Sequence, residues 1–216
     1  MSIEVLLREL GKGMLISVEI FAGTLLFSLP LGLIVAFGRM SKFALPRLIT
    51  KIYISIMRGT PLMLQLLVVY FGPYYLFGVR ISSSYRIIAV LIGFSINYAA
   101  YFAEIYRGGI ESISEGQYEA AKVLGYSKNQ TFFRIVFPQV VKRIIPPVTN
   151  EVITLVKDTS LAYSLAVVEM FTAAKQIAAS QTSMVPFLAA GIFYYVFNLL
   201  VALGMEAFEK KLSYYH

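Results

Sequence analysis

The sequence predicts an all-α, polytopic membrane protein with five transmembrane helices, on three observations. Of its 216 residues 58% are hydrophobic and 14% charged, with a mean hydropathy of +0.71, well beyond the apolar content of a soluble domain. Five stretches reach or approach the roughly 20 mostly apolar residues that a spanning helix needs. Lys and Arg gather on alternate connections, the pattern left when cytoplasmic flanks retain basic residues.

The five stretches are residues 13–38, 52–77, 87–106, 144–168 and 185–208. Before the first, Glu4 and Glu9 intersperse with Arg8 and Lys12, and no small-residue cleavage site closes the apolar run. It is therefore expected to stay as a span rather than leave as a signal peptide. Glu19 sits alone within it. Near the inner end of the second, Arg58, Thr60 and Pro61 read as a helix start or gate, because Pro61 suits a first helical turn. In the third, Asn97 and Tyr98 offer hydrogen bonds to a solute or between helices, and Glu104 with Arg107 reads as a salt bridge near the cytosolic end. Gly23, Gly32, Gly93 and Gly191 are expected to allow close helix approach.

The fourth stretch holds the densest set of ionisable groups. A charge at bilayer depth costs about 2.5–3.5 kcal/mol on insertion scales, so such groups face protein or water. On a 3.6-residue helix Asn150, Glu151, Thr154, Lys157 and Asp158 share an arc of about 120°, opposite Val152, Ile153, Leu155 and Val156. That face reads either as the wall of a translocation path or as a structural ion cluster. In the first reading Glu151 and Asp158 receive an ammonium or guanidinium, and Lys157 or backbone amides receive a carboxylate. Asp158-Thr159-Ser160 also reads as an N-cap cluster, where a helix break would present free amides to an anion.

Orientation follows from counting. One set of flanks carries twelve Lys and Arg and the opposite set five, with Arg58 and Lys157 inside spans. The amino terminus is then outside, the carboxyl terminus cytoplasmic, and residues 107–143 form a cytosolic loop within one domain spanning residues 1–216. The net charge of +7 is what retained basic loops produce, and nucleic acid is not needed to explain it. The chain has no Cys and its only His is His216. Thiolate nucleophiles and Cys-built metal sites are thereby excluded, and neither His-based acid–base catalysis nor a metal site built on His clusters is expected.

The cytosolic loop is shaped more sharply than a tether requires. Ser114 precedes Gln117 by three residues and Gly125 follows an Ala-rich run, a capping box opening a helix and a glycine closing it. A second box, Ser127 to Gln130, starts the next helix. A helix of roughly ten residues with both ends fixed suits a force-bearing contact with another protein.

Those residues carry a resemblance. Glu119-Ala120-Ala121, then Gly125, then Ile135 and Pro138 after a nine-residue interval resemble the signature loop of permease subunits in bacterial binding-protein-dependent ABC importers, with Phe137 where Leu is usual. Arg58 to Leu62, Arg107-Gly108-Gly109 and Lys157 to Leu161 resemble the polar amino-acid branch of that family. The resemblance implies a MetI-like ABC importer permease fold in the bacterial inner membrane. It implies pairing with a second permease subunit, identical or homologous, two cytosolic ATPase subunits and an extracytoplasmic solute-binding protein. Glu119, Ala120, Ala121 and Gly125 would dock the ATPase. This chain would be no enzyme and hold no cofactor, ATP and Mg being bound by the partner, in line with the absence of a G-x-x-x-x-G-K-[ST] loop here. The substrate expected is a polar amino acid, with the acids leaning toward arginine, lysine or histidine. An ion-driven secondary transporter or channel for a small charged solute stays open as the alternative.

Overall fold

The computed structural model describes residues 2–212, so His216 lies outside the described residues. These form nine α-helices and no strand: α1 (Ile3–Arg39), α2 (Ala44–Gly59), α3 (Leu62–Phe77), α4 (Tyr85–Glu111), α5 (Glu115–Val123), α6 (Lys128–Thr131), α7 (Phe137–Asp158), α8 (Met170–Gln181) and α9 (Val185–Leu212). A π-helical turn over Phe132–Val136 joins α6 to α7, and a 3₁₀ segment over Thr159–Leu165 follows α7.

The organising contact is α1 against α4. Along α1 the buried residues Gly13, Ser17, Ile20, Thr24, Ser28, Gly32 and Val35 recur at intervals of three and four, so one narrow stripe of mostly small side chains faces the core, with Gly13 and Ser17 against Met170 of α8. At Gly32 the backbones approach so closely that a Cβ would stand 2.8 Å from Phe102 Cβ and 3.1 Å from the Ala99 carbonyl. Gly23 and Gly93 likewise receive neighbouring side chains, whereas Gly191 faces open space and permits no close approach within the chain. Around this axis Ile20, Leu66, Val90, Phe94, Tyr98, Phe102 and Leu155 form the main buried cluster. Glu19 lies on the exposed side of α1.

Two of the expected spans are not single helices. Residues 52–77 are divided at Thr60 and Pro61, and α2 and α3 meet there at a bend of 113°. The cause is local: Pro61 has no N–H to continue α2 and pushes Thr60 into an extended conformation (φ −125°, ψ 148°). Pro61 thus caps α3 from outside rather than occupying its first turn. Residues 144–168 contain the end of α7 at Asp158, the 3₁₀ segment, and a left-handed turn at Ala166 (φ 54°). Among the described residues α1, α4 and α9 are long and apolar enough to cross a bilayer alone, and the bent α2–α3 pair makes a fourth if it is one crossing. The charges on α7 keep it from qualifying by composition.

Candidate functional site

Both helix breaks open onto one polar cavity. It has a volume of about 270 Å³ and is lined by Thr60 and Leu62 at the α2–α3 break, Asn97, Tyr98 and Tyr101 on α4, and Glu151, Thr154 and Asp158 on α7. That is slightly below the ~300–1,000 Å³ of drug-sized ligand pockets, a size suited to a smaller solute. The Tyr98 hydroxyl donates to Asp158 Oδ2 at 2.7 Å. Two carboxylates line the cavity and no basic side chain does, so its wall is built to receive positive charge.

The break is held by amides. Where α2 stops, its last carbonyls lose their helical partners. Gln65 Nε2 donates to the Met57 and Thr60 carbonyls (3.0 and 3.1 Å) and to Thr60 Oγ1 (2.8 Å). Asn97 Nδ2 donates to the same Met57 carbonyl at 3.0 Å and to Gln65 Oε1 at 2.9 Å. Asn97 therefore spends its donors on the break and meets the cavity only as part of its lining. Replacing Gln65 with leucine is expected to leave the Thr60 carbonyl unpaired, to cost the Asn97 amide one of its two acceptors and to lower stability by about 1–2 kcal/mol, measured as a lower thermal midpoint in detergent. An unchanged midpoint would show that the break holds without the amides.

The polar face expected on the fourth stretch is divided by the fold. Glu151, Thr154 and Asp158 reach the cavity, while Asn150 and Lys157 are exposed and do not line it. The Asp158-Thr159-Ser160 sequence is not an N-cap. Thr159 Oγ1 donates back to the Val156 carbonyl and Ser160 Oγ to the Lys157 carbonyl, each at 2.8 Å, and the chain runs directly on into the 3₁₀ segment, with no side-chain cap from Asp158. These hydroxyls cap carbonyls at a C-terminal end, so the expected free amides are not presented there.

Glu104 does more than pair with Arg107. Its carboxylate lies 2.7 Å from Arg107, 3.9 Å from Arg39 and 4.0 Å from Arg58, tying the ends of α1 and α2 to α4. Arg58 also sits over the ring of Tyr101, 5.3 Å from its centroid. It stands beside the cavity rather than in its lining.

The loop helix α5 forms where expected, with different chemistry at its start. Ser114 is the N-cap but makes no side-chain cap bond, and Gln117 instead accepts from Gln139 Nε2 on α7 at 3.3 Å. At its end Gly125 takes φ +78°, and the Tyr126 N–H reaches the Ala121 carbonyl while the Gly125 N–H reaches that of Lys122, both at 3.0 Å. This is a Schellman closure. The second box forms in full at Ser127 and Gln130. Ala121 is buried, Glu119 and Ala120 are exposed, and Tyr118, Val123, Leu124, Phe133 and Phe137 leave apolar surface uncovered around them. Beneath the loop Ile113, Val136 and Val140 pack with Ile110, Phe132 and Ile144, and Arg143 donates to the Ser112 carbonyl. The loop thus rests on the foot of the helix that carries Glu151 and Asp158.

Sequence reasoning passed over Gln65, Tyr101 and Glu169. Glu169 is fully buried at the start of α8, where its carboxylate accepts from the Phe171 and Thr172 N–H groups (2.7 and 2.8 Å), from Thr172 Oγ1 (2.8 Å) and from the Tyr194 hydroxyl (3.1 Å). A single polar residue in an apolar run was the available signal at Gln65 and at Glu169, since such a group needs a partner at that depth. Tyr101, among many aromatic residues, gave none.

Residues 28–214 match the family described as the binding-protein-dependent transport system inner membrane component. The chain belongs to this family. A probable amino-acid ABC transporter permease protein of Bacillus subtilis (strain 168), YckA, is 39% identical over 97% of this chain and 89% of the relative. The L-cystine transport system permease protein TcyB of the same organism is 34% identical over 95% of this chain and 87% of its own. A crystal structure described as an amino acid ABC transporter with histidines superposes with a TM-score of 0.85 at 28% identity, covering 94% of each chain. The binding-protein-dependent permease described here thus has the MetI-like fold and is a multi-pass component of the bacterial inner membrane.

Proposed function

We propose that this permease carries a polar amino acid into the cytoplasm through the cavity between α4, α7 and the α2–α3 break, driven by ATP hydrolysis in separate subunits. The single observation that carries the reading is the position of two carboxylates on α7, the helix that continues from the π turn touching α5 and whose Gln139 donates to Gln117 of α5. A push on α5 would reach the cavity wall through one continuous element. In this reading the chain crosses the bilayer five times, with α7 as the fourth crossing, its amino terminus outside and its carboxyl terminus cytoplasmic. A second permease subunit covers the exposed Asn150 and Lys157, two ATPase subunits hold ATP and Mg, and an extracytoplasmic binding protein delivers the solute. Lys157 then faces the space between the two permeases rather than the cavity.

Cationic amino acids fit the cavity best, because Glu151 and Asp158 face it with no basic side chain in its lining and offer one acid for the α-ammonium and one for a charged side chain. Asp158→Asn is expected to weaken arginine or lysine binding roughly ten- to hundredfold and a neutral amino acid severalfold, measured by radioligand binding to the assembled transporter. Equal losses for cationic, neutral and acidic amino acids would remove the cationic preference. Proteoliposome uptake that requires ATP and ignores ionophores supports the ATP-driven reading. Uptake driven by an ion gradient without any ATPase would replace it with a secondary transporter.

A further inference from the structure

Helix α2 has three faces, and only one is packed into the chain's core. Ile54 is buried, with Tyr53 and Met57 packed beside it against Val35, Ala36, Ala100 and Ala103. At 100° per residue, Leu45, Leu48, Ile49, Ile52 and Ile56 form a second face, each at least half exposed. Arg47, Lys51 and Arg58 form the third, and the helix contains no acidic residue. Arg58 is engaged with Glu104, while Arg47 and Lys51 are exposed and have no ion-pair partner among the described residues. The bend of 113° to α3 turns α2 nearly perpendicular to a crossing helix, so it lies along a bilayer surface rather than through it.

We infer that α2 is an interfacial helix that inserts its leucine–isoleucine face at the edge of the hydrocarbon and binds anionic lipid headgroups through Arg47 and Lys51. A helix of low overall hydrophobicity with a sharply divided apolar and basic surface is the form that settles in the headgroup plane, and anionic lipid is the partner its uncompensated charge selects. The Ile54 face, held by the protein, fixes the depth at which the other two meet lipid. The inference depends on membrane embedding and not on the substrate reading. It has a mechanical corollary, because α2 ends at Thr60, which lines the cavity. Headgroup binding anchors one lip of that cavity.

The test uses the assembled transporter in nanodiscs of phosphatidylcholine with increasing phosphatidylglycerol, with retained lipids counted by native mass spectrometry. The wild-type complex is expected to retain phosphatidylglycerol preferentially, and R47Q/K51Q to weaken that retention by about 25-fold, at roughly fivefold per cation. R47K/K51R is expected to restore it, which separates loss of charge from misfolding. ATP-driven uptake by the wild type is expected to rise with the phosphatidylglycerol fraction, and that dependence to flatten in R47Q/K51Q. Equal retention by wild type and R47Q/K51Q would overturn the inference. So would release of the ATPase subunits by R47Q/K51Q with lipid retention unchanged, which would make the basic face a protein interface.

Discussion

Gly125→Val is expected to reduce ATP-driven uptake to background, a loss of at least about a hundredfold, while the chain still reaches the membrane. The expectation rests on backbone geometry. Gly125 sits at φ +78°, a conformation costing an L-residue roughly 1–2 kcal/mol and a β-branched one more. A nine-residue helix has little stability of its own, and this one lacks a side-chain bond at Ser114. The Schellman closure is therefore its main fixed end. Losing it frees Glu119 and Ala120 from a defined position and uncovers Ala121, so the proposed docking surface dissolves without disturbing α1 or α4. Gly125→Asn, which tolerates the left-handed region, is expected to keep a substantial share of uptake. The comparison needs transport assays in cells together with membrane abundance by immunoblot. Normal uptake by Gly125→Val would remove α5 from the coupling path.

Glu169→Ala is expected to be the most damaging single change to stability. Its carboxylate is the acceptor for two backbone N–H groups and two hydroxyls in a fully buried position. Truncation strands those donors where water does not replace the lost acceptor, at about 3–5 kcal/mol in total. Because Tyr194 lies on α9 and the Met170 N–H donates to Ser17 on α1 at 3.4 Å, loosening this corner separates α8 from both neighbours. Thermal unfolding of the detergent-solubilised complex and its yield from membranes are the measurements. Glu169→Gln, which keeps one acceptor oxygen, is expected to fall between wild type and alanine. A midpoint for Glu169→Ala within a degree or two of wild type would show that the corner is held by packing alone.

The parts legible in the sequence were those set by local chemistry and bulk composition. Apolar length located α1, α4 and α9, and the Ser127–Gln130 box and Gly125 marked real helix ends, because each depends on a few neighbouring residues. Pro61 announced a discontinuity, but its geometry did not follow. Whether a proline bends a crossing or turns a helix onto the membrane surface depends on where Gln65 and Asn97 can meet the freed carbonyls, a contact across 32 residues. The same limit explains the divided polar face on α7. Helical periodicity placed Asn150, Glu151, Thr154, Lys157 and Asp158 together, but the packing of α4 selected the cavity side and left Asn150 and Lys157 out. Ser114 was a box by pattern only, since Gln117 found a partner on α7 instead.

The π-helical turn at Phe132–Val136 sets the phase between the Ser127 cap and the cavity acids. A π turn holds about one residue more than an α turn, so the helix above it is rotated by about 100° relative to an uninterrupted one. Deleting one residue from this turn would swing Glu151 and Asp158 by that same angle around the axis relative to the Ser127 cap. A five-residue turn far from the cavity thus decides which way the acids point.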